Sequence, residues 1–140
     1  MGVDIKLLHV QAAPPQVRPV VADVRALPFP AASFDVVTAS LFLHHFDALE
    51  APFVLRALWS IARRALVIND LRRARLPYFF GKAAFPLLFR SRVSVDDGLT
   101  SIRRGFHEGE LLAAFADAGI PVRVSRNWPY RLLAVAEKVA

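Results

Sequence analysis

Two histidines, His44 and His45, stand side by side near the end of the stretch VVADVRALPFPAASFDVVTASLFLHHF, residues 20–46. Imidazole titrates near neutrality, so either ring could orient a substrate or accept a proton. A ring in such a loop could equally pack or cap the next helix. Zinc is the poorer reading, because adjacent histidines lack ligand spacing and the chain has no cysteine. Two further polar residues end apolar runs. Val20, Val21 and Ala22 lead into Asp23, and Phe34 to Ala39 lead into Ser40. If both runs are strands of an open parallel sheet, Asp23 and Ser40 stand at carboxyl ends, where ligands bind in such sheets. An aspartate there also serves as a turn or cap residue.

The elements that would position these groups can be read in order. Met1 to Ile5 is a strand that carries Asp4. Lys6 to Gln16 is a short helix stopped by Pro14 and Pro15, and Val17 to Val24 is a strand. Pro28 and Pro30 break any helix after it. Phe34 to Ser40, rich in Val and Thr, reads as a buried strand. Ala48 to Ala62 reads as a helix with Asp47 as N-cap and an apolar face of Leu49, Phe53, Leu55, Leu58, Trp59 and Ile61. Arg64 to Leu71 is a strand that contains Asp70. Val93 to His107 is polar and reads as a loop. Phe106 to Ala118 is a helix with Leu111, Leu112 and Phe115 inward, ended by Gly119. Val122 to Arg126 and Arg131 to Glu137 are two closing strands. No internal repeat is present.

Composition bounds the rest. The 140 residues suffice for one domain, residues 1–140, and 55% hydrophobic content supports a real core. The net charge is +6. Lys6, Lys82 and Lys138 are the lysines and the remaining cations are arginine. The charge alone would suit nucleic acid, an anionic membrane surface or an acidic partner, but no nucleic-acid recognition motif accompanies it. Absent cysteine removes disulfides and thiolate chemistry. The start is no convincing signal peptide, and the longest apolar stretch, residues 76–89, is broken by Pro77, Gly81, Lys82 and Pro86. A cytoplasmic protein is expected.

The pattern Asp23, Leu27-Pro28-Phe29, Ser33-Phe34-Asp35-Val36-Val37, closed by Leu43-His44-His45, resembles the class I S-adenosylmethionine-dependent methyltransferases, in the group that includes quinone-biosynthesis methyltransferases. The resemblance implies an α/β fold, a Rossmann-like methyltransferase sheet with a C-terminal antiparallel hairpin, and S-adenosylmethionine as cofactor. It implies that Asp4, within Gly2-Val3-Asp4-Ile5, receives the ribose hydroxyls. It also implies that Asp23 and the Val24 N–H hold the adenine, and that Ser40 and Leu41 pass close to the sulfonium. A small-molecule acceptor is implied, with His44 or His45 as catalytic candidates and Arg103 and Arg104 as candidates for holding an anionic or phenolate-bearing substrate. Ile61 to Arg64 replace the family's usual Pro-Gly-Gly.

The family's first strand and its G-x-G-x-G turn have no counterpart before Gly2. The fold is therefore expected to be N-terminally truncated, with the Asp4 strand and the Ser40 strand lacking their shared neighbour. A partner chain could complete the sheet, and this chain alone could be catalytically silent. The competing reading is a non-catalytic remnant or interaction module. In it, the basic aromatic segment 72–92 binds a partner or, less favoured, a membrane surface.

Overall fold

A computed structural model describes residues 1–74, 96 and 100–138. In chain order the elements are β1 (Gly2–Asp4), α1 (Leu7–Gln11), β2 (Pro19–Val21), β3 (Phe34–Ser40), α2 (Ala51–Ile61), β4 (Ala62–Leu71), α3 (Glu108–Asp117), β5 (Arg123–Asn127) and β6 (Arg131–Glu137). Two 3-10 turns, Val24–Ala26 and Leu43–His45, follow β2 and β3. The basic aromatic segment 72–92 lies outside the described residues, apart from residues 72–74.

The main sheet has four strands in the order β3-β4-β6-β5. β3 runs parallel to β4, and the β5–β6 hairpin closes the sheet antiparallel to β4. β1 and β2 form a separate parallel pair, in register from Gly2↔Pro19 to Asp4↔Val21. The expected Rossmann-like α/β architecture with a terminal hairpin is present. The Asp4 strand and the Ser40 strand lie in separate sheets and share no neighbour among the described residues.

The core follows from period-two alternation along β4 and β6. Leu66, Ile68 and Asp70 are buried on β4, and each stands opposite a buried residue of β6: Ala136, Ala134 and Leu132. Alanine opposite the larger β4 side chains leaves room for helices on that face. α2 supplies Ala51, Val54, Leu55, Leu58 and Ile61, and α3 supplies Leu111, Ala114 and Phe115. α3 starts cleanly because the Glu110 carboxylate accepts from the His107 N–H (2.8 Å), reaching back from the third position of the helix.

Several boundaries differ from expectation. Leu49, Phe53 and Leu112 are exposed rather than inward, because the stripes that meet the sheet are Val54-Leu55-Leu58-Ile61 and Leu111-Ala114-Phe115. Asp47 caps a turn before α2: its Oδ1 accepts from Leu49 N (2.9 Å) and Glu50 N (2.8 Å), and regular helix begins at Ala51. Residues 100–104 are helical, not loop. Gly105 makes their placement possible. A Cβ there would stand 2.8 Å from the Leu71 carbonyl oxygen and 3.1 Å from the Leu71 Cβ. Phe106 N then reaches Leu71 O (2.9 Å), and Arg73 N reaches Phe106 O (2.9 Å).

Two stability predictions follow from this packing. Ala32 sits at φ 53° in an exposed turn before β3. A left-handed conformation costs a residue with a Cβ about 1 kcal/mol, and glycine escapes that cost. Ala32→Gly should therefore raise the unfolding free energy by up to about 1 kcal/mol in denaturant titration. The β1–α1–β2 unit buries no side chain fully, and a two-stranded ribbon is marginal in water. Its amides should exchange with deuterium at least about a hundredfold faster than those of β4 and β6. Equal protection of the two sheets would contradict this.

Candidate functional site

The site is organised by a carboxylate where the alternation calls for an apolar side chain. After Leu66 and Ile68, the next inward residue of β4 is Asp70, which is fully buried. Its Oδ2 accepts the backbone N–H groups of Phe42 (3.2 Å), Leu43 (2.7 Å) and His44 (3.3 Å). Its Oδ1 accepts the Leu71 N–H (2.7 Å) and lies 2.7 Å from His44 Nδ1. One buried carboxylate thus caps the turn that follows β3 and anchors it to the end of β4. Burial pushes the Asp70 carboxyl up. The His44 imidazole and the N–H groups of Leu71 and His44 outweigh that and hold it below the ordinary value of 3.8.

An ionised Asp70 only accepts, so His44 Nδ1 carries the proton and donates it. That fixes the tautomer and leaves Nε2 as the basic nitrogen. His44 is buried, yet it lines a cleft of ≈ 490 Å³ together with Leu41, His45, Leu71, Arg72, Ser101, Ile102, Pro129, Tyr130 and Arg131. Among the described residues Nε2 has no hydrogen-bond partner. His45 stacks beside it, ring centroids 4.2 Å apart. Burial lowers the His45 pKa first, and the charges of His44, Arg104 and Lys6 lower it further against the opposing pull of Asp70. His45 is therefore neutral at neutral pH. Lys6, just after β1, and Arg104, in the helical residues before Gly105, both come within electrostatic reach of this point.

Two residues lining the cleft hold strained backbone: Leu41 at φ 53° and Tyr130 at φ 52°. Leu41 is held there by its N–H bond to Asn69 O (2.9 Å), while Asn69 Nδ2 donates to Ser40 Oγ (3.2 Å). Strain of this kind gathers at ligand sites, where surrounding contacts over-determine it.

The other sequence candidates stand at neighbouring strand ends. Asp4 closes β1; its Oδ1 accepts the Lys6 N–H (2.8 Å) and its Oδ2 pairs with His9 Nδ1 (2.9 Å). The Lys6 N–H, then His9, lower its pKa. Asp23 follows β2 and caps the Val24–Ala26 turn, its Oδ1 accepting from Arg25 N (2.9 Å), while Val24 is buried beneath. Arg25 runs on to Glu50 (2.7 Å), tying this turn to the start of α2. Arg103 and Arg104 are exposed and do not line the cleft; Ser101 and Ile102 of the same segment do. So Ser40, Leu41, His44 and His45 share one end of the main sheet, and Asp4 and Asp23 share the same end of the small one.

Sequence reading missed the roles of Asp70, Arg72, Tyr130 and Arg131. Asp70 was detectable, since it occupies an inward position in the run Leu66, Ile68, Asp70. The other three carry no such signal. They meet the site only because β6 pairs with β4 at Leu71↔Arg131 and the Arg72 N–H bonds to Tyr130 O (2.9 Å).

Comparison with known proteins gives a consistent picture. Residues 1–65 match the family model described as a methyltransferase domain. No curated protein matches. Among solved structures, the fold is similar to a SAM-dependent methyltransferase from Aquifex aeolicus, at TM-score 0.68 and 18% identity, covering 98% of this chain and 67% of that one. It is similar to another from Archaeoglobus fulgidus, at TM-score 0.69 and 15% identity, covering 98% and 75%. Magnesium protoporphyrin IX methyltransferase from Synechocystis PCC 6803, solved with bound SAH, aligns at TM-score 0.54 and 19% identity, covering 94% and 55%. The chain thus spans between about half and three quarters of the length of these three proteins. In sequence over residues 1–65, and in fold over nearly its whole length, the chain is similar to class I S-adenosylmethionine-dependent methyltransferases.

Proposed function

We propose that this chain transfers a methyl group from S-adenosylmethionine to a small-molecule acceptor at the carboxyl ends of its strands. The observation that carries the reading is the Asp70–His44 pair, which leaves a basic Nε2 beside a mostly apolar cleft. The groups at the strand ends fit the cofactor. A carboxylate offers about four acceptor positions; at Asp4 the Lys6 N–H and His9 take one on each oxygen, which leaves positions for a vicinal diol. Asp23 and the Val24 N–H offer an acceptor and a donor side by side for a purine edge. When bound, the cofactor supplies an electrophilic methyl on a sulfonium, and displacement leaves S-adenosylhomocysteine.

The residues of this chain do the rest. Asp70 holds the His44 ring, so that Nε2 can take the proton of an acceptor O–H or N–H as its lone pair turns nucleophilic. Neutral His45 adds no positive charge that would oppose that proton transfer. The apolar lining of Leu41, Leu71 and Ile102 aligns the acceptor and excludes water, which supplies much of the rate in such displacements. Calorimetric titration with S-adenosylhomocysteine tests the cofactor half. Binding in the micromolar range is expected, weakened at least about tenfold by Asp4→Ala, as for loss of a charge-assisted bidentate contact. A folded chain that gives no heat at millimolar ligand would contradict the proposal.

A further inference from the structure

We infer that the acceptor is an apolar molecule bearing a carboxylate, and that Arg131 is the residue that selects it. This rests on the proposed transferase reading for the word acceptor, but not for the anion site itself. Arg131 opens β6 opposite Leu71 and lines the cleft. Its Nη1 is buried and has no hydrogen-bond partner among the described residues. A desolvated guanidinium N–H without an acceptor is costly, and such groups are normally satisfied. Several more exposed arginines of the chain do hold a carboxylate: Arg25 pairs with Glu50, Arg63 with Asp35, Arg73 with Glu110, Arg123 with Glu137 and Arg126 with Glu108.

Arg72, also lining the cleft, lies over the Tyr130 ring (5.3 Å to the centroid) and has no carboxylate among the described residues. Arg104 is close enough to depress His45. Among the described residues no acidic side chain lines the cleft. Two guanidinium groups with no carboxylate partner among the described residues, on a mostly apolar lining, call for a ligand that brings one negative charge on an apolar body. A carboxylate matches the planar fork of a guanidinium with two parallel hydrogen bonds.

The test uses the isosteric probes benzoate and benzamide, titrated into the wild-type chain and followed by NMR on the Arg131 side-chain N–H signals. Benzoate should shift them and benzamide should not. Arg131→Met should weaken benzoate binding at least about tenfold, with Arg131→Lys in between, since lysine keeps the charge but not the fork. Equal binding of benzamide and benzoate by wild type would overturn the inference without any variant. So would benzoate binding that a folded Arg131→Met chain retains, or inorganic phosphate binding as tightly as benzoate. S-adenosylhomocysteine binding without benzoate binding would remove the carboxylate site and leave the cofactor reading intact. Benzoate binding at Arg131 without S-adenosylhomocysteine binding would do the reverse.

Discussion

Asp70→Ala should cost about 3–5 kcal/mol of folding stability, near the whole margin of a small domain. Five donors lose their acceptor at once: the N–H groups of Phe42, Leu43, His44 and Leu71, and the His44 ring. Asp70→Asn keeps the shape but turns one oxygen into a donor. It should cost less, about 1–3 kcal/mol, and should invert the His44 tautomer, because an amide donor asks Nδ1 to accept. The pH dependence has a definite sign. The folded-state pKa of Asp70 is depressed, so its contribution is complete above the unfolded value near 3.8 and is lost as pH falls through the folded value. Denaturant titrations between pH 2 and 7 should show a stability loss at the acid end in wild type, and a smaller one in Asp70→Asn. Equal acid sensitivity in both would mean that Asp70 is not the buried anion described here.

The second large effect is on turnover. His44→Asn can still donate to Asp70, because its amide Nδ2 stands where the ring Nδ1 does, so the turn after β3 should survive. It has no nitrogen able to take a proton. Methyl transfer should fall about 10²–10⁴-fold, the usual contribution of a positioned general base, while affinity for S-adenosylhomocysteine stays within about twofold. His45→Gln should reduce turnover much less, because the His45 ring lies against His44 and no carboxylate holds it among the described residues. Equal losses in both variants would assign the pair a joint structural role instead.

Much of this site was legible because strands announce themselves by composition. Phe34–Ser40 and Arg131–Glu137 are both visible as runs of apolar and β-branched residues, with the boundaries observed. Asp23 and Ser40 were proposed from where such runs stop, and Asp4 from the family resemblance of Gly2-Val3-Asp4-Ile5. Helix faces were harder to read. Leu49, Phe53 and Leu112 are as hydrophobic as their buried neighbours, and only the position of the sheet decides which stripe faces in. Arg72, Tyr130 and Arg131 depend on the β4–β6 register, a pairing between segments far apart in sequence that local pattern cannot supply. The helix over residues 100–104 lacked periodicity, and its docking depends on the missing side chain of Gly105.

The claim that the strand ends form a cofactor site is met most directly by amide chemical-shift mapping of the wild-type chain during titration with S-adenosylhomocysteine. The account predicts saturable shifts at Asp4, Asp23, Val24, Ser40 and Leu41, with the β5–β6 hairpin away from Tyr130 unmoved. Saturation with shifts confined to other surfaces, or no shifts at all in a folded chain, would contradict it.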